Sequence, residues 1–152
     1  MEIRGEFDIK APVQRVWASF WDEALMPAWL PGCKAVQWEG DRRVHGEVEQ
    51  SVAQLKATFA FDLEVVEKEE PVRLHLAGTG EGKTIASDVR MDMNVELTPL
   101  DGTATRIKYI MHAEIGGALA NIGNFVLKLK AKDLQQRMAQ DVRSRLEGEG
   151  AA

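Results

Sequence analysis

Three histidines, one cysteine and one tyrosine are the side chains of this sequence best suited to metal binding, nucleophilic attack or proton transfer. Each histidine, His45, His75 and His112, falls on the polar side of an alternating stretch. A metal site needs such residues to converge with carboxylates, and no H-x-x-x-H spacing exists, so surface histidines are expected. Cys33 has no local Cys-His spacing, and a small buried thiol is expected there. The glycines of "GTGEGK" are Gly78, Gly80 and Gly82. They lack the spacing of a phosphate-binding loop, and the segment is expected to be a hairpin loop. Asp22 and Tyr109 are the polar candidates for a pocket. Asp22 could equally cap a helix, and Tyr109 could hydrogen-bond within a core. No catalytic residue, metal or cofactor is expected.

The elements that must position these residues follow from periodicity. Residues 2–10 alternate, with Ile3, Gly5, Phe7 and Ile9 on one face, as in a half-buried strand. Val13, Val16, Trp17 and Phe20 then recur at helical spacing behind Pro12. A second short helix is expected from Asp22 to Trp29, stopped by Pro31 and turned by Gly32. Strand patterns follow over 44–52, 55–65, 72–76, 89–97 and 107–115, and Asp101-Gly102 marks a hairpin. Short turns between successive strands imply an antiparallel meander. From Gly117 to Leu146 the period is helical again, and such a helix would be roughly 40–45 Å long. The fold class is α+β: a curved antiparallel sheet of about six or seven strands wrapped around a long C-terminal helix, with two short helices after the first strand. One domain is expected over 1–147, with a short flexible tail at 148–152.

Composition narrows the function classes. The chain has 152 residues, 45% hydrophobic and 28% charged, with net charge -5. Residues 1–116 carry 13 basic and 20 acidic side chains, whereas 117–147 carry six basic and three acidic. An acidic body argues against nucleic-acid binding. The basic segment, with Lys128, Lys130, Lys132 and Arg137, could dock a partner or an anionic membrane surface, or be a solvated helix face. No apolar run approaches the ~20 residues needed to span a bilayer. The lone cysteine and the charged N-terminus suit a cytoplasmic protein, with peripheral attachment to the inner membrane as the other option.

The inward strand positions are all apolar. They include Phe59, Phe61, Leu74, Leu76, Met91, Met93, Tyr109 and Met111. Methionine suits adaptable apolar surfaces. A plain packed core and a ligand cavity both fit this pattern. Gly116, Gly117 and Gly123 at the helix start are poor helix formers, leaving room for close packing or for a ligand. Trp17, Trp21, Trp29 and Leu30 surround the segment that would cap the open end.

Two stretches carry a family resemblance. "VWASFWDEALMPAWLPGC" resembles the "VW...L.D...L...LPGC" signature of the CoxG family, the carbon monoxide dehydrogenase G-subunit family, through Val16, Trp17, Asp22, Leu30, Pro31, Gly32 and Cys33. "GTATRIKYIMHAEIGGALANIG" resembles that family's later segment through Gly102, Thr103, Tyr109, Gly117, Leu119, Ala120 and Gly123. The similarity runs from Ile3 to about Leu146. It implies the START-like, or SRPBCC (polyketide cyclase/lipid-transport), helix-grip fold with an apolar cavity between sheet and helix. It further implies a quinone- or lipid-like ligand and an accessory role beside a molybdenum hydroxylase such as carbon monoxide dehydrogenase. Some relatives carry a membrane-anchoring tail, which the ending "EGEGAA" does not resemble.

The expected ligand-binding residues are Trp17, Trp29 and Leu30 at the mouth, Phe59, Phe61, Leu76, Met91, Met93, Tyr109 and Met111 on the strands, and Leu119, Ile122 and Val126 on the helix. Binding of a hydrophobic small molecule, without catalysis, is the leading reading. A cyclase- or hydrolase-type enzyme on the same fold, and an assembly factor acting through its surface, are the alternatives.

Overall fold

Seven strands form one antiparallel sheet in the order β1-β7-β6-β5-β4-β3-β2. The strands are β1 (Glu2–Ile9), β2 (Cys33–Glu39), β3 (Arg43–Val52), β4 (Leu55–Glu69), β5 (Arg73–Gly82), β6 (Ser87–Asp101) and β7 (Ala104–Gly117). Helices α1 (Val13–Ser19) and α2 (Met26–Trp29) follow β1, and α3 (Asn124–Gly150) closes the chain. The computed structural model describes residues 1–147 with their side chains, and the backbone of α3 to Gly150. The tail expected at 148–152 lies outside the residues described in full. Neighbours in the sheet are consecutive in sequence except at β1, which pairs with β7 so that Ile9 faces Thr105. Register shifts in β2, β4 and β6 mark bulges, which bend strands and help curl the sheet around α3.

The hairpin between β6 and β7 forms where Asp101-Gly102 places it. The Asp101 carboxylate accepts hydrogen bonds from the Thr103 backbone N–H (2.7 Å) and hydroxyl (2.8 Å).

Three expectations about local structure are corrected. The second helix does not start at Asp22: that residue opens a turn in which its carbonyl accepts from Leu25 and Met26, and only Met26–Trp29 is helical. "GTGEGK" is not a loop, because β5 runs on to Gly82 and pairs on both sides. The long helix does not start at Gly117. Gly117 (φ 76°) and Gly123 (φ 105°) bracket a 3-10 turn, Ala118–Ile122, and α3 begins only after it. Positive φ is a conformation that only glycine adopts at little cost, so these two residues break the helical period.

The sheet's inner face does not close into one continuous core. Buried residues divide into three clusters. The largest joins Ile9, Val16, Trp17 and Phe20 to Val95, Ile107 and the end of α3 at Val142 and Leu146. A second joins Phe59 and Ala57 to Leu119 in the 3-10 turn and Leu127 in the first turn of α3. The third is Met26, Val44, Phe61 and Leu63. Polar contacts fix α3 over this face. The Lys10 backbone N–H donates to Glu147 (2.9 Å), Arg143 donates to the Asp8 carbonyl (3.1 Å), and Arg145 donates to the Ala24 carbonyl (3.0 Å).

Candidate functional site: an apolar cavity under the long helix

Between the three clusters lies a cavity of about 380 Å³, bordered by the inner sheet face, the α2–β2 segment and one face of α3. Its size falls within the range of small-molecule sites. Two arrangements of sequence create it. Across the sheet, Ile3, Met111, Met93 and Leu76 stand side by side on four neighbouring strands and form a continuous apolar wall. Beyond Leu76, the next three inward positions of β5 are Gly78, Gly80 and Gly82. Gly78 is held against the backbone of β4 at Asp62 and Leu63, and Gly82 against the backbone of Ile85 and Ser87, with no space for a side chain. Gly80 is different: a Cβ there would make only ordinary contacts, the nearest at 3.9 Å, and the residue borders the cavity. The wall is hollow at Gly80 because the side chain is missing.

Helix α3 supplies the opposite wall through Leu127, Lys130, Ala131, Leu134, Gln135 and Met138. Their spacing is that of one helix face. Of the inward stripe expected through Leu119, Ile122, Val126 and Leu129 and on through Leu134, Met138 and Val142, the residues Leu119, Leu134 and Met138 border the cavity, whereas Ile122, Val126 and Leu129 do not. Leu129 is 54% exposed and Phe125 75% exposed, because the break at Gly123 resets the helical register.

Of the residues expected to touch a ligand, ten border the cavity: Trp29, Leu30, Phe59, Phe61, Leu76, Met91, Met93, Tyr109, Met111 and Leu119. The structure places Trp17, Ile122 and Val126 elsewhere. Trp17 is buried in the largest cluster, with its indole N–H donating to Glu70 (2.9 Å). Ile122 and Val126 pack against the second cluster from outside the cavity. Sequence reasoning missed Trp38, Gln50, Gly80 and the face of α3 that carries Lys130 and Gln135.

The α2–β2 segment is firmly held. Trp29 lies 4.6 Å from Phe20 between ring centroids, and its N–H donates to the Ser19 hydroxyl (2.9 Å). The Gln50 amide donates to the Pro31 carbonyl (2.5 Å), and the Glu49 N–H donates to the Gly32 carbonyl (2.9 Å). Leu30 and Pro31 therefore form a fixed rim of the cavity. Trp21 and Trp38 stack beside it (5.6 Å), and the Trp38 indole N–H donates to the Phe20 carbonyl (3.1 Å).

Polar groups at the cavity are few. The Tyr109 hydroxyl accepts a hydrogen bond from the Gln135 amide (2.8 Å), which also donates to the Arg4 carbonyl (2.8 Å). Burial raises the Tyr109 pKa, so the phenol stays protonated and can donate. Asp22 is exposed; its carboxylate accepts from the Ala24 N–H (2.9 Å) and it does not border the cavity. The histidines pair with carboxylates on the sheet: His45 with Glu39 (2.9 Å), His75 with Asp92 (2.9 Å) and His112 with Glu2 (3.8 Å). Cys33 is half-buried at the start of β2 rather than fully buried as expected, and that burial pushes its thiol pKa up, away from the reactive thiolate. Among the described residues, no three metal-ligating side chains come together, and no helix is long and apolar enough to cross a membrane.

The family model for CoxG, the G-subunit of carbon monoxide dehydrogenase, matches residues 5–147. Solved structures share the fold. A conserved protein from Geobacillus kaustophilus superposes with a TM-score of 0.86 at 24% identity, over 97% of this chain and 96% of that one. A START superfamily protein from Mycobacterium smegmatis gives 0.71 at 14% identity, over 97% of each chain. The Zhui aromatase/cyclase from Streptomyces sp. R1128 gives 0.62 at 14% identity, over 99% and 93%. No curated protein matches the chain significantly.

Proposed function

The chain belongs to the CoxG family of carbon monoxide dehydrogenase G-subunits, and on that premise we propose that it is a non-catalytic carrier for a hydrophobic, quinone- or lipid-like small molecule held between the sheet and α3. The observation that carries this reading is the cavity itself. Its walls are largely methionine, leucine, phenylalanine and valine side chains, and it is deepened where Gly80 withholds a side chain. Affinity would come from apolar burial, at roughly 25 cal/mol per Å² removed from water. Methionines at Met91, Met93 and Met111 adapt to the shape of the guest. The family suggests the destination: a molybdenum hydroxylase of the carbon monoxide dehydrogenase type, to or from which the molecule is passed.

A cyclase- or hydrolase-type activity would need an acid or base facing the guest. Among the described side chains bordering the cavity, the ionisable ones are Lys130 and Tyr109, and none is a carboxylate or a histidine. That set favours binding over acid–base turnover.

Native mass spectrometry of the purified protein, followed by organic extraction, tests the reading. A copurifying quinone or lipid, or saturable quenching of intrinsic tryptophan fluorescence by an added quinone, is the expected result. An empty protein that binds neither quinones nor Nile red would overturn it.

A further inference from the structure

Helix α3 carries five lysine or arginine residues between 128 and 143, and one of them is misplaced for a solvated face. Lys128, Lys132 and Arg137 are exposed, as helix-surface cations ordinarily are. Lys130 instead stands in the cavity-facing stripe, between Leu127 and Leu134, and its side chain is only 17% exposed. The buried part is the aliphatic stem: among the described residues no buried side-chain nitrogen lacks a hydrogen-bond partner, so the ammonium itself still reaches water. A charge at such a border ordinarily takes a close partner. Here the partner is Asp133, one turn along the same helix and 3.9 Å away, beyond hydrogen-bond distance. That carboxylate is held more closely by Arg137, at 3.2 Å. Lys130 thus brings a positive charge with unfilled hydrogen-bonding capacity to an apolar space that no carboxylate borders among the described residues.

We propose that the guest is an amphiphile, with an apolar body in the cavity and an acidic oxygen head group, a carboxylate or its like, received by Lys130. This rests on the carrier reading and specifies its ligand class. The lysine's aliphatic stem extends the apolar wall, while its ammonium sits at the boundary with water. An acidic head placed there keeps part of its hydration, so pairing costs less than in a sealed interior. The contact is a charge-assisted hydrogen bond, roughly twice as strong as a neutral one.

Displacement of Nile red by lauric acid and by dodecanol, which share one chain length, separates the two readings. The expected result is laurate binding roughly ten-fold more tightly than dodecanol. Lys130→Met should abolish that preference and Lys130→Arg should keep it. Lys128→Met, which removes the same charge from the exposed face, should also keep it. Equal binding of acid and alcohol, or a preference that survives Lys130→Met, overturns the head-group assignment and leaves the carrier reading standing. Failure of Nile red, both amphiphiles and an added quinone to bind overturns both, whereas binding of the quinone alone overturns only the head-group assignment.

Discussion

Tyr109 and Gly5 face each other across the β1–β7 pair, and the Tyr109 phenol lies directly over the bare Cα of Gly5. Any Cβ at position 5 would overlap the hydroxyl and the ring edge. The missing side chain lets the phenol lean across β1 and meet Gln135 on α3. One strand, its neighbour and the long helix are thereby fastened together at one side of the cavity.

Gly5→Val should therefore displace Tyr109 and release Gln135. Overpacking of this kind costs about 1–3 kcal/mol, read from the midpoint of a urea titration. In a Tyr109→Ala background the cost should fall sharply, because the clash partner is gone. An equal penalty in both backgrounds would show that the two residues do not touch.

Gly80 gives the opposite outcome. Its inward space is open, and glycine in a strand interior is weak. Gly80→Leu should raise stability by about 0.5–2 kcal/mol through cavity filling while weakening Nile red binding. Met93→Asp should also abolish binding, but with a loss of stability, since it sets a carboxylate in apolar surroundings. Binding that survives both changes would place the guest elsewhere.

The register of α3 is tested by two leucines. Leu127 is 8% exposed and Leu129 54% exposed. Leu127→Lys should be strongly destabilising, whereas Leu129→Lys should stay within about 0.5 kcal/mol of the parent. Reversed effects would restore the stripe that the sequence alone suggests.

Acid sensitivity should be traceable to Asp8. The Arg106 guanidinium, bonded to both carboxylate oxygens at 2.9 and 3.2 Å, holds the Asp8 pKa below the usual aspartate value. A lowered folded pKa contributes stability above the unfolded value of about 3.9, and loses it as pH falls through the folded value. Between about pH 5 and pH 2 the parent should lose more stability than Asp8→Asn. Both partners are exposed, so the difference should be small and should shrink in high salt.

Much of this architecture is legible in the sequence. The alternation of β1, the Asp101-Gly102 hairpin and the methionine-rich inward faces each map onto the structure, because each depends on local period or turn chemistry. Strand β2 is not legible: its bulge between Cys33 and Ala35 breaks the alternation that would have revealed Val36 and Trp38 as an inward pair. The glycines of β5 imitate a loop, because conformational permissiveness and the absence of a side chain leave the same mark in sequence. The later part of the α3 face, Leu134 and Met138, follows from the helical period, but its first turns do not, because Gly123 shifts the phase of the helix. Counting back from Met138 by turns, rather than forward from Leu119, leads to Leu134, Ala131 and Leu127, and so to Lys130 beside them.

Strand β1 is synthesised before every other strand of the sheet, yet it has only β7 as its sheet neighbour, and the chain just after it is tied to α3 through Lys10 and Glu147. During synthesis the meander from β2 to β6 can form as it emerges, while β1 has no edge to join until residues beyond 104 leave the ribosome. For that interval Ile3, Phe7 and Ile9 remain uncovered. The sheet wall of the cavity is thus closed by the earliest-made of its strands, and only α3, made later still, can cover it.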